Sequence, residues 1–330
     1  KKIGMKIKQS NIKIWSQIGT RASFGMAALE LGANQQNLII ISGDTSTSAG
    51  LERFKKKYPE KYFEVGIAEQ NMIGIAAGLA SEGHKVITTT FAPFQTMRCL
   101  EQIKVNLGYM KHKVVMVGLA SGLIQGMLGF THCCIEDISV MRSIPGITVI
   151  SPADSFATIK ATLAAIDHHQ SVYLRLTGET PNPPVYKDDF EFKIGKSNTI
   201  IEYGHNVAII SCGSMVSSSS EVANLLKKRK IESSVIDMHT IKPIDKDVLK
   251  KINKKHKLLV TIEEHSLMGG LGSAVAEYIS SLEKSIPVLS IGIPDFYETA
   301  GSYTELISKY MLNPQQITDK IVQRYTSLYS

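Results

Sequence analysis

At 330 residues, with 43% hydrophobic and 20% charged residues, the chain has apolar material for two domains and too little net charge per residue for disorder. Its +7 balance comes from scattered groups such as KKK at 55–57 and KKRK at 227–230 without interleaved aromatics, which reads as solvated helix faces and no nucleic-acid module. No apolar run is unbroken over a membrane span, KKIGMKIKQSNIKIW lacks the apolar core of a secretory leader, and Cys99, Cys133, Cys134 and Cys212 form no C-x-x-C pair. A cytoplasmic chain, off the membrane and with reduced, mostly buried thiols, is expected.

In chain order, short β-branched runs alternate with segments of helix length. NLIIISGD (37–44), KVITTTF (85–91), KVVMVG (113–118) and GITVISP (146–152) each precede a helical segment or a glycine-bearing loop, the pattern of a mainly parallel sheet with crossover helices. After SVYLRL (171–176), the prolines and charges of TGETPNPPVYKDDFEFKIG (177–195) can continue neither element. The expected division is one α/β domain over 8–180, a linker over 181–195 and a smaller α/β domain over 196–330. In that second domain NVAIISCG, SSVIDMH, KLLVTIEE and PVLSIG read as strands, with helices over Met215–Lys230, after Pro243 and from Gly272.

The segment YFEVGIAEQNMIGIAAGLASEG (62–83) raises a chemical question. From Met72 to Ala80 nearly every residue is apolar or glycine, so a helix here is expected to be buried all round, with Glu69 at its start. A first-turn acid is favoured by the helix dipole by roughly 0.3–1 kcal/mol. The segment FEVGIA ahead of it, read as strand and turn with no polar break, however carries Glu69 toward a concave interior, where burial disfavours a charged carboxylate. Gly74, Ala77 and Gly78 would admit a closely packed neighbour. Phe91 and Phe94, before a helix expected over Gln95–Leu107, read as core or as a cofactor platform. His132, Glu136 and Asp137 in GFTHCCIEDIS match no metal-ligand spacing, and the acids are expected to cap the next helix. EEHSLMGGLGSAVAEY puts glycines at a helix start suited to an anion, without a dinucleotide fingerprint.

Taken together, FEVGIAEQNMIGIAAGLASEG, TTTFAPF, GFTHCCIEDISVMRSIPGITVISPAD and VTIEEHSLMGGLGSAVAE resemble, in order, the C-terminal half of transketolase, a family related to 1-deoxyxylulose-5-phosphate synthase. The resemblance runs from about Lys13 to near the C-terminus. It implies a pyrimidine-binding domain followed by a transketolase C-terminal domain, and thiamine diphosphate as cofactor. In that family the acid matching Glu69 bonds N1′ of the aminopyrimidine and favours the imino form that takes the proton from C2. Phe94 matches the ring that stacks on the pyrimidine, with Phe91 beside it. His132 matches a histidine facing the reacting sugar, Arg21, Ser48 and Arg175 match positions that bind a sugar phosphate, and Asp44 matches one lining the substrate channel.

Family members hold the diphosphate and a Mg²⁺ or Ca²⁺ ion on a preceding domain, through G-D-G and a following Asn; no G-D-G occurs in this sequence. The resemblance therefore implies the second subunit of a split transketolase, with an N-terminal subunit as partner in an α2β2 assembly, moving a two-carbon ketol unit between sugars or sugar phosphates. Two positions depart from the pattern. Leu128 stands where ordinary transketolases carry an acid that meets a substrate hydroxyl, and Ala120 where they carry a phosphate-contacting histidine, so a modified sugar is expected. The competing readings are a 1-deoxyxylulose-5-phosphate synthase-like enzyme, a 2-oxoacid dehydrogenase β-subunit and a non-catalytic assembly subunit. GIAEQN and THxxxED favour transketolase, and assembly alone would need none of Glu69, Phe94 and His132.

Overall fold

The computed structural model describes residues 9–178, 181 and 183–329. The first-domain strands are β1 (Leu38–Ser42), β2 (Tyr62–Glu64), β3 (Lys85–Phe91), β4 (Val114–Leu119), β5 (Ile147–Ile150) and β6 (Ser171–Arg175). Those of the second are β7 (Asn198–Glu202), β8 (Val207–Ser211), β9 (Ser233–Asp237), β10 (Thr240–Lys242), β11 (Leu258–Ser266) and β12 (Val288–Ile293). Among the described residues they form two sheets, of order β10-β5-β6-β4-β3-β1-β2 and β12-β11-β8-β9-β7. All pairings are parallel except those of β10 with β5 and β7 with β9. Strands such as LIIIS and VVMVGL are buried at every position. Helices cover both faces of a parallel sheet, so its strands become continuous apolar runs.

On one face of the larger sheet the helices Gln9–Asn34 and Ser155–Ile166 pack together, with Trp15 and Phe156 at 5.6 Å between ring centres. Gly19 (φ 77°) kinks the first helix just before Arg21. One turn on, a Cβ at Gly25 would strike Gly50 O, so glycine lets this helix touch the loop that follows β1. The other face builds a core that is not confined to one domain: Met72, Ile73, Ile138 and Met141 share a continuous apolar cluster with Ile210, Ile236, Leu259 and Leu271. The four cysteines are free and buried. Among the described residues no helix is long and apolar enough to cross a membrane.

Two expectations are corrected, and one strand is added. The helix Glu69–Ser81 is not buried all round; it inserts Met72, Ile73, Ala76 and Ala77 and leaves Gln70, Asn71, Gly74, Ile75 and Gly78 exposed. The helix expected over Gln95–Leu107 is broken into Ala92–Gln95, a 3-10 turn Met97–Cys99, the turn Leu100–Gln102 and a π-helical stretch Ile103–Tyr109, with Thr96 at φ −108°, ψ −77° as the break. Strand β10 belongs by sequence to the second domain and by hydrogen bonding to the first sheet, the Ser151 N–H donating to His239 O at 2.8 Å as it joins.

Candidate functional site

The ends of β1, β2 and β3 converge on Glu69, at the carboxyl edge of a parallel sheet where open α/β folds bind ligands. Gly43, just past β1, would place a Cβ 3.5 Å from Glu69 Cγ and from Thr90, so backbone and acid lie in contact. Glu69 begins its helix with its side chain only 3% exposed. The buried acid is one half of an ion pair: Arg98 Nη1 donates to Glu69 Oε1 at 2.8 Å. The same guanidinium carbon lies 3.9 Å from the centre of the Phe94 ring. Phe94 also meets His132 edge-on at 5.4 Å and Phe91 at 6.4 Å. Glu69, Arg98, Phe94, Phe91 and His132 thus form one contiguous mouth.

His132 is half-buried, and its Nδ1 lies 3.0 Å from Thr131 Oγ1, which fixes the ring from one side. Leu128 ends the 3-10 turn Gly126–Leu128 just before it and is 56% exposed, next to an equally apolar and exposed Met127. Asp44 sits beside Gly43 in a left-handed conformation (φ 58°), its side chain exposed and its N–H donating to Glu64 Oε1 at 2.6 Å. Ser48 lies further along that loop, which closes at Gly50 against the backbone of Arg21 and Ala22. The Arg21 guanidinium is pushed below its usual value by burial, and among the described residues it forms no ion pair.

One expected contact is placed elsewhere. Arg175 is 1% exposed: its Nε donates to both oxygens of Asp137 at 2.9 and 3.0 Å, and its Nη2 donates to Glu264 O at 2.9 Å. A guanidinium so committed inside the protein has no donor edge to offer a phosphate, so its assignment there is withdrawn. Ala120 is likewise buried, at φ 50° in the turn after β4.

Arg175 belongs to a seam between the domains that the sequence reading did not foresee. Asp137 does not cap its helix; it takes Arg175 and the Tyr173 hydroxyl, the latter at 2.7 Å. The cap comes from the second domain. Burial pushes His265 down to about 4, and its Nδ1 lies 2.8 Å from Ser266 O, so Nε2 is free to accept the N–H groups of Ile138 and Ser139 at 3.1 and 3.4 Å. The glycine-opened helix Leu271–Ser280 does bind an anion, but an internal one: Glu263 accepts from Leu271 N and Gly272 N at 2.6 and 2.7 Å, and a Cβ on Gly270 would strike its carboxylate. Glu264 reaches back to accept from Leu123 N, Ser214 Oγ and the Tyr303 hydroxyl at 2.6–2.7 Å.

Glu136 accepts from Tyr297, and among the described residues no cluster of three metal-ligating side chains occurs. Sequence reading missed Arg98, because the break at Thr96 that turns it back onto Phe94 carries no periodicity. Nothing in EEH itself told seam from site.

Residues 16–181 match the transketolase pyrimidine binding domain, and 195–317 the transketolase C-terminal domain. An apulose-4-phosphate transketolase subunit of Phocaeicola vulgatus is 37% identical over 92% of this chain and 96% of its own. The 6-deoxy-6-sulfo-D-fructose transketolase subunit of Clostridium sp. strain MSTE9 is 33% identical over 88% and 89%. A solved split gene transketolase, described as an inactive beta4 tetramer, superposes with a TM-score of 0.84 at 34% identity, over 93% of this chain and 98% of that one.

Proposed function

This chain belongs to the transketolase family, and we propose that it is the second subunit of a split, thiamine-diphosphate-dependent transketolase that transfers a two-carbon ketol unit to or from a modified sugar. The observation that carries the reading is the mouth itself. A flat cation lies on Phe94 while donating a hydrogen bond to the buried Glu69, so these residues fit a flat ring that carries a proton on its edge. The aminopyrimidine of thiamine diphosphate is such a ring, and the bound cofactor supplies carbanion chemistry that side chains lack. In this reading Glu69 holds the proton at N1′, Phe94 and Phe91 hold the ring face, and His132 exchanges protons with sugar hydroxyls at the mouth.

Residues 8–180 then form the pyrimidine-binding domain, 181–195 the linker and 196–330 the C-terminal domain. An N-terminal partner in an α2β2 assembly would hold the diphosphate and its Mg²⁺ or Ca²⁺. Relatives that are themselves named as transketolase subunits, and a solved relative described as a split gene transketolase, support two chains. The open helix face at Gly74 and Gly78, with nothing within 4 Å of a Cβ there, is where another subunit can approach closely. Four buried free thiols suit a reducing, cytoplasmic setting.

Substrate preference rests on Leu128, since Ala120 and Arg175 are buried away. An exposed leucine beside His132 cannot bond a hydroxyl, which removes the demand for one; Arg21, Ser48 and Asp44 remain to meet an anionic or polar tail. Relatives named for apulose 4-phosphate and 6-deoxy-6-sulfo-D-fructose support a modified sugar. The test is reconstitution. The purified chain alone is expected to give no ketol transfer. With its N-terminal partner, thiamine diphosphate and Mg²⁺, kcat/KM is expected to be highest for a deoxygenated, branched or anionic sugar. Ketol transfer by the single chain would overturn the split site, and a best rate with xylulose 5-phosphate plus ribose 5-phosphate would overturn the substrate reading.

A further inference from the structure

Arg98 has no part in the family resemblance, yet it holds both groups on which the cofactor reading depends. Its Nη1 donates to Glu69 Oε1 at 2.8 Å, and its guanidinium carbon lies 3.9 Å from the centre of the Phe94 ring. Resting on the reading of Glu69 and Phe94 given above, we propose that Arg98 occupies the aminopyrimidine seat in the cofactor-free chain and has to swing out before the ring can enter, so that it sets the affinity of the site.

The two partners are unequal in a way that suits displacement. Glu69 is 3% exposed on a helix packed into the shared core, whereas the Arg98 side chain is 43% exposed and opens directly to water. The acid stays while the cation moves. The backbone beneath the arginine is held: Gln70 Nε2 donates to Arg98 O at 3.0 Å and Cys99 Sγ to Phe94 O at 3.1 Å. Side-chain rotation alone therefore clears the seat, without refolding of the turn Met97–Cys99.

The exchange is like for like. A guanidinium is flat, permanently charged and presents N–H donors along its edge, and it stacks on aromatic faces. Those properties meet Glu69 and Phe94 as a protonated aminopyrimidine would, so Glu69 has a cationic partner both in the closed seat and in the loaded one. The cost falls on affinity. When only a fraction of molecules has the seat open, the apparent Kd rises by the inverse of that fraction. An open fraction of about one in five to one in ten would weaken binding about five- to tenfold.

The test uses the full chain alone, with 4-amino-5-hydroxymethyl-2-methylpyrimidine as the probe and calorimetry or ligand-observed NMR as the readout. Arg98→Met keeps the aliphatic stem and loses the donors; its Kd is expected to fall about five- to tenfold below wild type. Arg98→Lys, which can reach Glu69 but cannot cover the ring, is expected between the two, and it carries the test if the Met variant does not fold. Adding Glu69→Gln to Arg98→Met should abolish the gain. In the reconstituted complex, the Kd of thiamine diphosphate should follow the same order. Unchanged or weaker binding in Arg98→Met, or no probe binding by wild type and variants alike, overturns the proposal. Where the probe binds but Arg98→Met brings no gain, a loss of binding in Glu69→Gln keeps the seat and overturns only the displacement. A gain that survives Glu69→Gln overturns the seat and the displacement together.

Discussion

The mouth and the seam are built from the same residue types and treat them oppositely. At the seam each acid has several fixed donors: Asp137 has Arg175 and Tyr173, Glu263 two backbone N–H groups, and Glu264 a backbone N–H and two hydroxyls. At the mouth the Arg98 partner of Glu69 stands partly in water. A buried network whose bonds are all made rigidifies the fold and resists change. An acid whose partner can leave is able to exchange it for a ligand. Charge and burial alone do not separate site from scaffold; the permanence of the partners does.

The comparison breaks most severely if Glu69 proves to be scaffold. In the reconstituted enzyme Glu69→Gln is expected to slow ketol transfer by about 10²–10⁴-fold, the usual scale for an acid–base group, while the melting curve stays close to wild type. Hydrogen–deuterium exchange at the cofactor C2 is the direct measurement, and a wild-type exchange rate would remove Glu69 from proton handling.

The converse change belongs to the seam. Arg175→Met strands Asp137 without its cation in a site that is fully buried, and removing one member of such a pair costs about 3–5 kcal/mol. Urea unfolding should show that loss, and Asp137→Leu added to Arg175→Met should restore part of it. A stable Arg175→Met protein with weakened phosphate binding would return Arg175 to the site.

A smaller effect sharpens how the seam is held. Tyr186, in the segment between the domains, donates its N–H to Asp154 Oδ2 at 3.0 Å and its hydroxyl to Asp237 Oδ2 at 2.6 Å. Burial pushes Asp237 up from 3.8 to about 8, so in the fold it keeps its proton at neutral pH. Because the folded value lies above the unfolded one, the stability this proton contributes is complete below pH 4 and is lost as pH rises through about 8. Asp237→Asn, neutral throughout, should flatten the fall in urea midpoint between pH 5 and pH 9. An unchanged slope would assign that pH dependence to other groups.

Much of this was legible in the sequence. Runs such as LIIIS and VVMVGL, alternating with segments of helix length, read as strands of a mainly parallel sheet, and the prolines after Leu176 marked a break in the alternation. Glu69, Phe94 and His132 were singled out by pattern and resemblance, and the structure brings them together through Arg98. What stayed hidden depended on distant partners. Whether Arg175 faces a ligand or Asp137 is decided by a residue 38 positions away, and whether a Gly-rich helix start awaits an anion is decided by Glu263 eight positions before it. Local spacing carries neither fact. The short β10 was hidden for a similar reason, since its three residues have meaning only beside β5.

That strand also bears on how the protein is made. Chains emerge from the ribosome N-terminus first, and early domains generally fold before later ones are finished. Here the edge of the first sheet at β5 stays unpaired until Thr240–Lys242 has been synthesised, long after the rest of that sheet is available. An open strand edge invites pairing with other chains, so the nascent protein passes through an interval of exposure to aggregation that ends only when its second half arrives.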